Sequence, residues 1–394
     1  MKSEGQHIVL LARDLAPQLI ELRRFFHQHP ELSREEHLTT QKIKDALADL
    51  GIEIADLNLE TGVCGRISSG EGRIVALRAD IDALPLQEKT GLPFASRTEG
   101  CMHACGHDSH ITWLLGAAMI LTQMKEKFTG EVRLIFQPAE ERTNGAQDMI
   151  AAGALEGVDM IFGAHNKPDL PADTVAIAPG YLMASVAGFK ITVTGRGGHG
   201  AIPHLTRDPM PVAGAILTGL QSIVARNVDP LESAVISVGS ITGGTAGNII
   251  PGEVTITGTV RAYTPEVQAL ITRRLQTLAS ATAMAFDCTA ECTGPTFRLP
   301  PVDNDPEATR IARTSTEKIL GSDRVVDAVP VLASEDFSLY QERTPGCFMW
   351  IGSDSPDKGW HHPEFTVNED CLPVGAAVLA AAALEALREL NSGS

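Results

Sequence analysis

Apolar positions recur at helical spacing in two stretches near the start of the chain, 8–26 and 36–50, and predict two amphipathic helices. Short apolar runs at 63–67 and 73–79 then read as strands. The alternation continues with a helix over 109–128, which Asp108 or Ser109 is placed to cap, and a strand over 131–136. A helix over 145–152 and a strand over 159–164 follow. Strands alternating with helices imply an α/β fold, a layered domain with a mostly parallel sheet. Near Val186 the period changes. Segments 189–194, 234–241 and 254–263 alternate as antiparallel strands do, and helical spacing over 211–225 and 266–285 accompanies them. Helices over 306–320 and 371–390, with a strand over 347–351, look like a return to the first pattern. The expected organisation is therefore 1–185 and 296–394 as two parts of one α/β domain, with an α+β domain inserted at 186–295.

A chain of 394 residues has volume for two cores and a buried site. Its 32 basic and 49 acidic residues give a net charge of −17, which argues against nucleic acid or an anionic membrane as partner. The start lacks the apolar run of a secretory signal, and the longest apolar runs, such as 374–384, fall short of a membrane span. Seven cysteines in such a chain do not suggest disulfides, and Cys64, Cys288, Cys292, Cys347 and Cys371 read as small buried apolar groups. A soluble, cytoplasmic protein is expected.

The polar clusters fall where the strands of a parallel sheet would end, the usual place for ligands in such sheets. The densest runs from Cys101 through His103, Cys105, His107 and Asp108 to His110, just before a helix. Alone, a buried cysteine and a capping histidine would explain it. Three other clusters change the reading. Glu140 and Glu141 follow a strand and Pro138, so their side chains diverge, and one can bind metal while the other takes a proton from water. His165 closes a strand, and His361-His362-Pro363 precedes the last helix. Together they offer a thiolate, up to three imidazoles and a carboxylate. Such a mixed set favours Zn, Mn, Co or Ni over the all-oxygen sites of Mg and Ca. Two such ions about 3.5–4 Å apart would polarise a carbonyl and acidify water.

Taken in order, the motifs at 26–32, 77–85, 102–110, 136–141, 163–165, 196–201, 247–251, 334–337 and 361–365 resemble the amidohydrolase branch of the aminoacylase/carboxypeptidase metallohydrolases. That branch includes hippurate hydrolases, N-acetyl-amino-acid deacetylases and plant auxin-conjugate hydrolases. The resemblance implies two divalent transition-metal ions held by Cys105, His107, Glu141, His165 and His361, with Glu140 as general base. His361, rather than His362, occupies the first position of the His-x-Pro-x-aromatic pattern. Asp82 would orient a ligand from behind. The inserted domain becomes a lid and dimerisation domain. In similar enzymes the histidine corresponding to His199 reaches across a homodimer to stabilise an oxyanion. Asn248 and Arg261 match residues that grip substrate, Arg261 by forking onto a carboxylate. The implied reaction is hydrolysis of an N-acyl amino acid, with a dipeptidase or carboxypeptidase as alternative. A scaffold protein without activity, or a redox protein based on Cys101 and Cys105, is the competing reading from another class.

Overall fold

Four strands, Gly130–Gln137, Ile74–Asp80, Met160–Lys167 and Gly346–Gly352, lie side by side and parallel at the centre of an eight-stranded sheet. Gly346–Gly352 is buried at every position and Met160–Lys167 at every position but the last, as expected of strands covered on both faces. The edges depart from the parallel rule. Val63–Ser69 runs antiparallel to Gly130–Gln137, and Glu53–Ala55 is antiparallel to it in turn. At the other edge Val175–Ala176 is antiparallel to Gly346–Gly352, with Val325–Val326 outermost. The computed structural model describes residues 4–142 and 144–392.

Two buried helices, His107–Gln123 and Cys371–Ser392, pack closely because small residues face each other. A Cβ on Gly116 would lie 2.6 Å from the Ala376 Cβ, and one on Gly375 would lie 2.4 Å from the Trp113 ring. Only the absence of side chains there allows this approach. By length and composition Cys371–Ser392 is long and apolar enough to cross a membrane, contrary to the expectation from its apolar run. Residues 375–387 are buried against the rest of the fold, so it serves as a core helix.

The helix His107–Gln123 also corrects the expected cap. Gly106, at φ 84°, is the capping residue, and no side chain caps the helix. Asp108 instead accepts from the Arg23 Nε at 2.9 Å, and its Oδ2 lies 2.7 Å from the His27 Nδ1. Ser109 donates to the Gly106 carbonyl at 2.5 Å. The helix stops at Gln123, before a short 3₁₀ turn at Lys125–Lys127, rather than running to 128.

The chain divides into two compact units. The first comprises Met1–Leu182, Asp303–Val329 and Asp336–Ser394 and contains the eight-stranded sheet. The second comprises Met183–Val302 and Pro330–Glu335. Its sheet is antiparallel throughout, in the order Ala234–Gly243, Glu253–Ala262, Ser185–Thr194, Thr289–Thr293, with Arg298–Leu299 also paired to Ser185–Thr194. Helices Pro209–Asn227 and Pro265–Met284 share its core through Ile216, Leu220, Ile271 and Leu275 against Ile191 and Ile256. Each helix begins with a proline preceded by a capping side chain: Asp208 accepts from Met210 N and Thr264 from Val267 N.

Candidate metal centre

The parallel strands of the first unit bring their C-terminal ends, and hence their polar residues, to one edge. Ile74–Asp80 leads to Asp82, Gly130–Gln137 leads through Pro138 and Ala139 to the turn Glu140–Arg142, and Met160–Lys167 carries His165. Cys105 and His107 stand at the start of their helix, and His361 arrives on a loop at φ 63° with its N–H on the Ala104 carbonyl at 2.8 Å.

There the five expected ligands and Glu140 come together. Cys105 Sγ lies 3.4 Å from His165 Nε2, and His361 Nε2 lies 3.4 Å from Glu141 Oε1. His107 Nε2 is 4.0 Å from the same carboxylate oxygen. Cys105, His107 and His165 offer donor atoms all within 4.8 Å of one another, and so do Cys105, Glu141 and His361. A third such group joins His107, Glu140 and Glu141. Cys105 is thus common to two groups that otherwise share no residue.

Backbone carbonyls set the rings. His107 Nδ1 lies 2.9 Å from the Asp82 carbonyl and His165 Nδ1 2.8 Å from the Asn166 carbonyl, so each Nδ1–H donates outward and leaves Nε2 for the cluster. His107 Nε2 and Glu141 Oε1 are buried without a hydrogen-bond partner. Buried polar atoms left unpaired in this way are costly, and a cation that displaces the His107 proton would meet both. With the thiolate, imidazoles and carboxylate, they fit a pair of transition-metal ions.

His110 forms a further group with Asp80 and His107, but both of its ring nitrogens are already engaged. Its Nδ1 sits 2.6 Å from Asp80 Oδ1, and its Nε2 accepts from the Asn166 N–H at 3.0 Å. His103 is buried and belongs to none of the ligand groups; burial drops its pKa to about 4. No disulfide joins Cys101 and Cys105.

Asn166, Ser33 and Glu36 are the residues that sequence patterning missed. Asn166 donates to the Cys105 carbonyl at 2.5 Å and accepts from the Trp360 indole at 3.0 Å. Ser33 donates to Asp82 Oδ2 at 2.6 Å, and Glu36 accepts from Ala139 N at 2.9 Å. The only available signal was their place beside recognised motifs.

In the second unit, His199 and Asn248 meet on a two-stranded ribbon where His199 pairs with Ile249 and Gly200 N donates to the Asn248 carbonyl at 2.9 Å. His199 Nδ1 accepts from the Ala201 N–H at 3.1 Å, so a neutral ring carries its proton on Nε2. Arg261 is not with them. It pairs with Val186 and Val235 and donates to Thr259 at 2.8 Å, near the opposite end of the strand that Glu253 begins. Eight residue steps along the strand, from Glu253 to Arg261, span roughly 27 Å.

Comparison with known proteins places the chain. Residues 76–385 match Peptidase family M20/M25/M40. The chain belongs to this family. It is 45% identical over 362 residues to an N-acetyl-L-cysteine deacetylase of Bacillus subtilis, covering 91% of this chain and 85% of that protein. It is 41% identical over 380 residues to the IAA-amino acid hydrolase ILR1-like 2 of Arabidopsis thaliana, covering 95% and 86%. A solved structure from Bacillus subtilis, a dinuclear metal-binding peptidase of family M20, superposes with a TM-score of 0.86 at 41% identity over 95% of this chain and 99% of that one.

The charge around this M20 centre is dominated by buried carboxylates. Burial opposes the charge on His107, but Asp80, Asp82 and Glu141 outweigh it and raise the ring to about 10. Burial also opposes ionisation of Asp80, yet His107, His110 and Arg78 hold it well below the usual carboxylate range. His165 moves the other way: burial, then His110, holds it neutral.

A pH dependence follows. In the metal-free protein His107 is protonated at neutral pH, and its ion pairs stabilise the fold fully below the ring's unfolded pKa of about 6.5. That contribution is lost as pH rises through about 10. A metal must displace the same proton, so affinity for Zn²⁺ strengthens with pH by roughly tenfold per unit for this group. Chelator competition at pH 6, 7 and 8 measures it; a flat profile would contradict the assignment.

Proposed function

We propose that this M20 chain is a metal-dependent amidohydrolase that cleaves N-acyl amino acids, of N-acetyl or N-benzoyl type, into a carboxylic acid and a free amino acid. The observation that carries the reading is the pair of ligand groups sharing Cys105, with Glu140 within the reach of His107 and Glu141. Cys105, His107, Glu141, His165 and His361 hold two divalent ions in this reading, with Mn, Zn, Co or Ni as the metal. When bound, the pair supplies Lewis-acid polarisation of the acyl carbonyl and makes water a better acid.

The remaining work falls to side chains. Glu140 takes a proton from the attacking water and returns it to the leaving amine, which requires its carboxylate to be held still beside the ligands. Its backbone N–H is fixed by Asp82 Oδ1 at 3.1 Å. His199 donates from Nε2 to the oxyanion, which suits the tautomer that Ala201 selects. We assign that histidine to the partner subunit of a homodimer. Asn248, on the same ribbon, holds substrate with that histidine, while Arg261, near the far end of the strand, serves the site of its own chain and forks onto the α-carboxylate, giving a preference for free acids in spite of the net charge of −17. Seven cysteines with no disulfide among them suit a reducing cytoplasm, and the acidic net charge suits neither nucleic acid nor an anionic membrane as partner. The solved relative described as a peptidase supports the second reading, a dipeptidase or carboxypeptidase using the same residues.

Hydrolysis of a panel of N-acetyl, N-benzoyl and longer N-acyl amino acids beside free dipeptides, by protein reloaded with single metals, separates the two readings. N-acyl amino acids are expected to react faster, and Glu140→Gln to lose at least 100-fold, on the order of a general base's contribution. Dipeptides as the better substrates would favour the second reading, and an active Glu140→Gln would remove Glu140 from its role. Mixed dimers of His199→Ala and Glu140→Gln chains are expected to regain activity that neither homodimer has. No recovery in a verified heterodimer would place His199 outside a shared site.

A further inference from the structure

The turn that carries Glu140 and Glu141 has three consecutive N–H groups, and buried carboxylates accept from all three. Ala139 N donates to Glu36 Oε1 at 2.9 Å. Glu140 N donates to Asp82 Oδ1 at 3.1 Å, and Glu141 N to Asp82 Oδ2 at 3.1 Å. Glu36 and Asp82 are 0% and 1% exposed. Ser33, three residues before Glu36, closes the arrangement by donating to Asp82 Oδ2 at 2.6 Å.

The backbone at this turn needs holding. Ala139 sits at φ 52°, in the left-handed region that disfavours any side chain. A residue with a Cβ stays there only if its surroundings over-determine it, and such strain gathers at functional sites. The Ala139 φ sets where the chain goes next, and so where the Glu140 carboxylate points. Glu36 itself is well anchored: it stands at the N-cap position of the helix His37–Asp49, where its carbonyl accepts from Thr40 N at 2.9 Å while its side chain is left for Ala139. The acceptor on Ala139 is therefore fixed to the end of a helix.

We infer that Glu36 is a positioning residue for hydrolysis, which acts through Ala139 to hold the Glu140 carboxylate in register with the ligand cluster. The inference rests on Glu140 being the general base. Asp82 holds the two glutamate N–H groups, and Glu36 fixes the strained residue that introduces them. Losing the Glu36 acceptor leaves a buried N–H unsatisfied and frees Ala139 to relax toward negative φ. Glu140 then moves while the cysteine and histidine ligands, carried on other segments, stay in place. A displacement of about 1 Å at such a group can cost 100-fold in rate.

The test compares Glu36→Leu, which removes the acceptor, with Glu36→Gln, which keeps an amide oxygen at its place, both in the metal-loaded protein. Expected for Glu36→Leu is a fall in kcat of at least tenfold, with KM and the metal content of the protein changed less than twofold. Glu36→Gln is expected to recover most of that loss. Adding Glu36→Leu to Glu140→Gln should cost nothing further, because the group being positioned is gone. Equal losses in Glu36→Leu and Glu36→Gln, or a full extra loss in the double variant, would overturn the positioning role. If Glu36→Leu does not fold, the Glu36→Gln rates alone decide: a tenfold fall in kcat would overturn the role, and near-native kcat would uphold it. An active Glu140→Gln protein would instead show that the base is misassigned.

Discussion

Negative charge buried at the edge of a parallel sheet is the constraint around which this molecule is built. Asp80, Asp82 and Asp108 are each 1% exposed or less. Stripping water from a carboxylate costs several kcal/mol unless other groups replace it. Each therefore has assigned donors. Arg78 and His110 serve Asp80; Ser33 and the N–H groups of Glu140 and Glu141 serve Asp82; Arg23 and His27 serve Asp108. Because the donors other than Arg78 (His110, Ser33, Arg23, His27 and the Glu140–Glu141 turn) lie on segments far apart in sequence, satisfying the carboxylates also ties those segments together. The same arrangement leaves His107 Nε2 and Glu141 Oε1 without hydrogen-bond partners inside the cluster.

This view also explains why the histidines near Cys105 differ in role. His107 and His165 each spend Nδ1 on a carbonyl and direct Nε2 to the cluster. His110 has the same ring but both nitrogens engaged, so it braces Asp80 and Asn166 instead. Chemistry follows from which nitrogen is already occupied, a property that residue identity does not carry.

Legibility varied in the same way. The sheet strands Gly130–Gln137, Met160–Lys167 and Gly346–Gly352 were readable because burial on both faces leaves short apolar runs at 134–136, 160–164 and 347–351. The helix Cys371–Ser392 was readable from its apolar spacing. The strands Glu53–Ala55, Val175–Ala176 and Val325–Val326 were not, since two or three residues cannot display a period. Thr289–Thr293 alternates exposed and partly buried positions and offers no apolar run. The cap at Gly106 escaped because φ 84° there answers to the Asn166 amide, where a Cβ would come within 2.5 Å, a contact 60 residues away in sequence. Motif order pointed to the site residues, but their partners Ser33, Glu36 and Asn166 became visible only when the strands were brought together. The separation of Arg261 from His199 and Asn248 was likewise hidden, because both ends of a strand look alike in a motif.

The central proposal is that Cys105, common to both donor groups, would serve as a ligand in each. X-ray absorption at the zinc edge, on protein reloaded to two zinc ions per chain, tests it most directly. The account predicts a sulfur scatterer at about 2.3 Å and a zinc neighbour at about 3.5–4 Å, both lost in Cys105→Ser. A spectrum of nitrogen and oxygen scatterers alone, unchanged by that substitution, would contradict it.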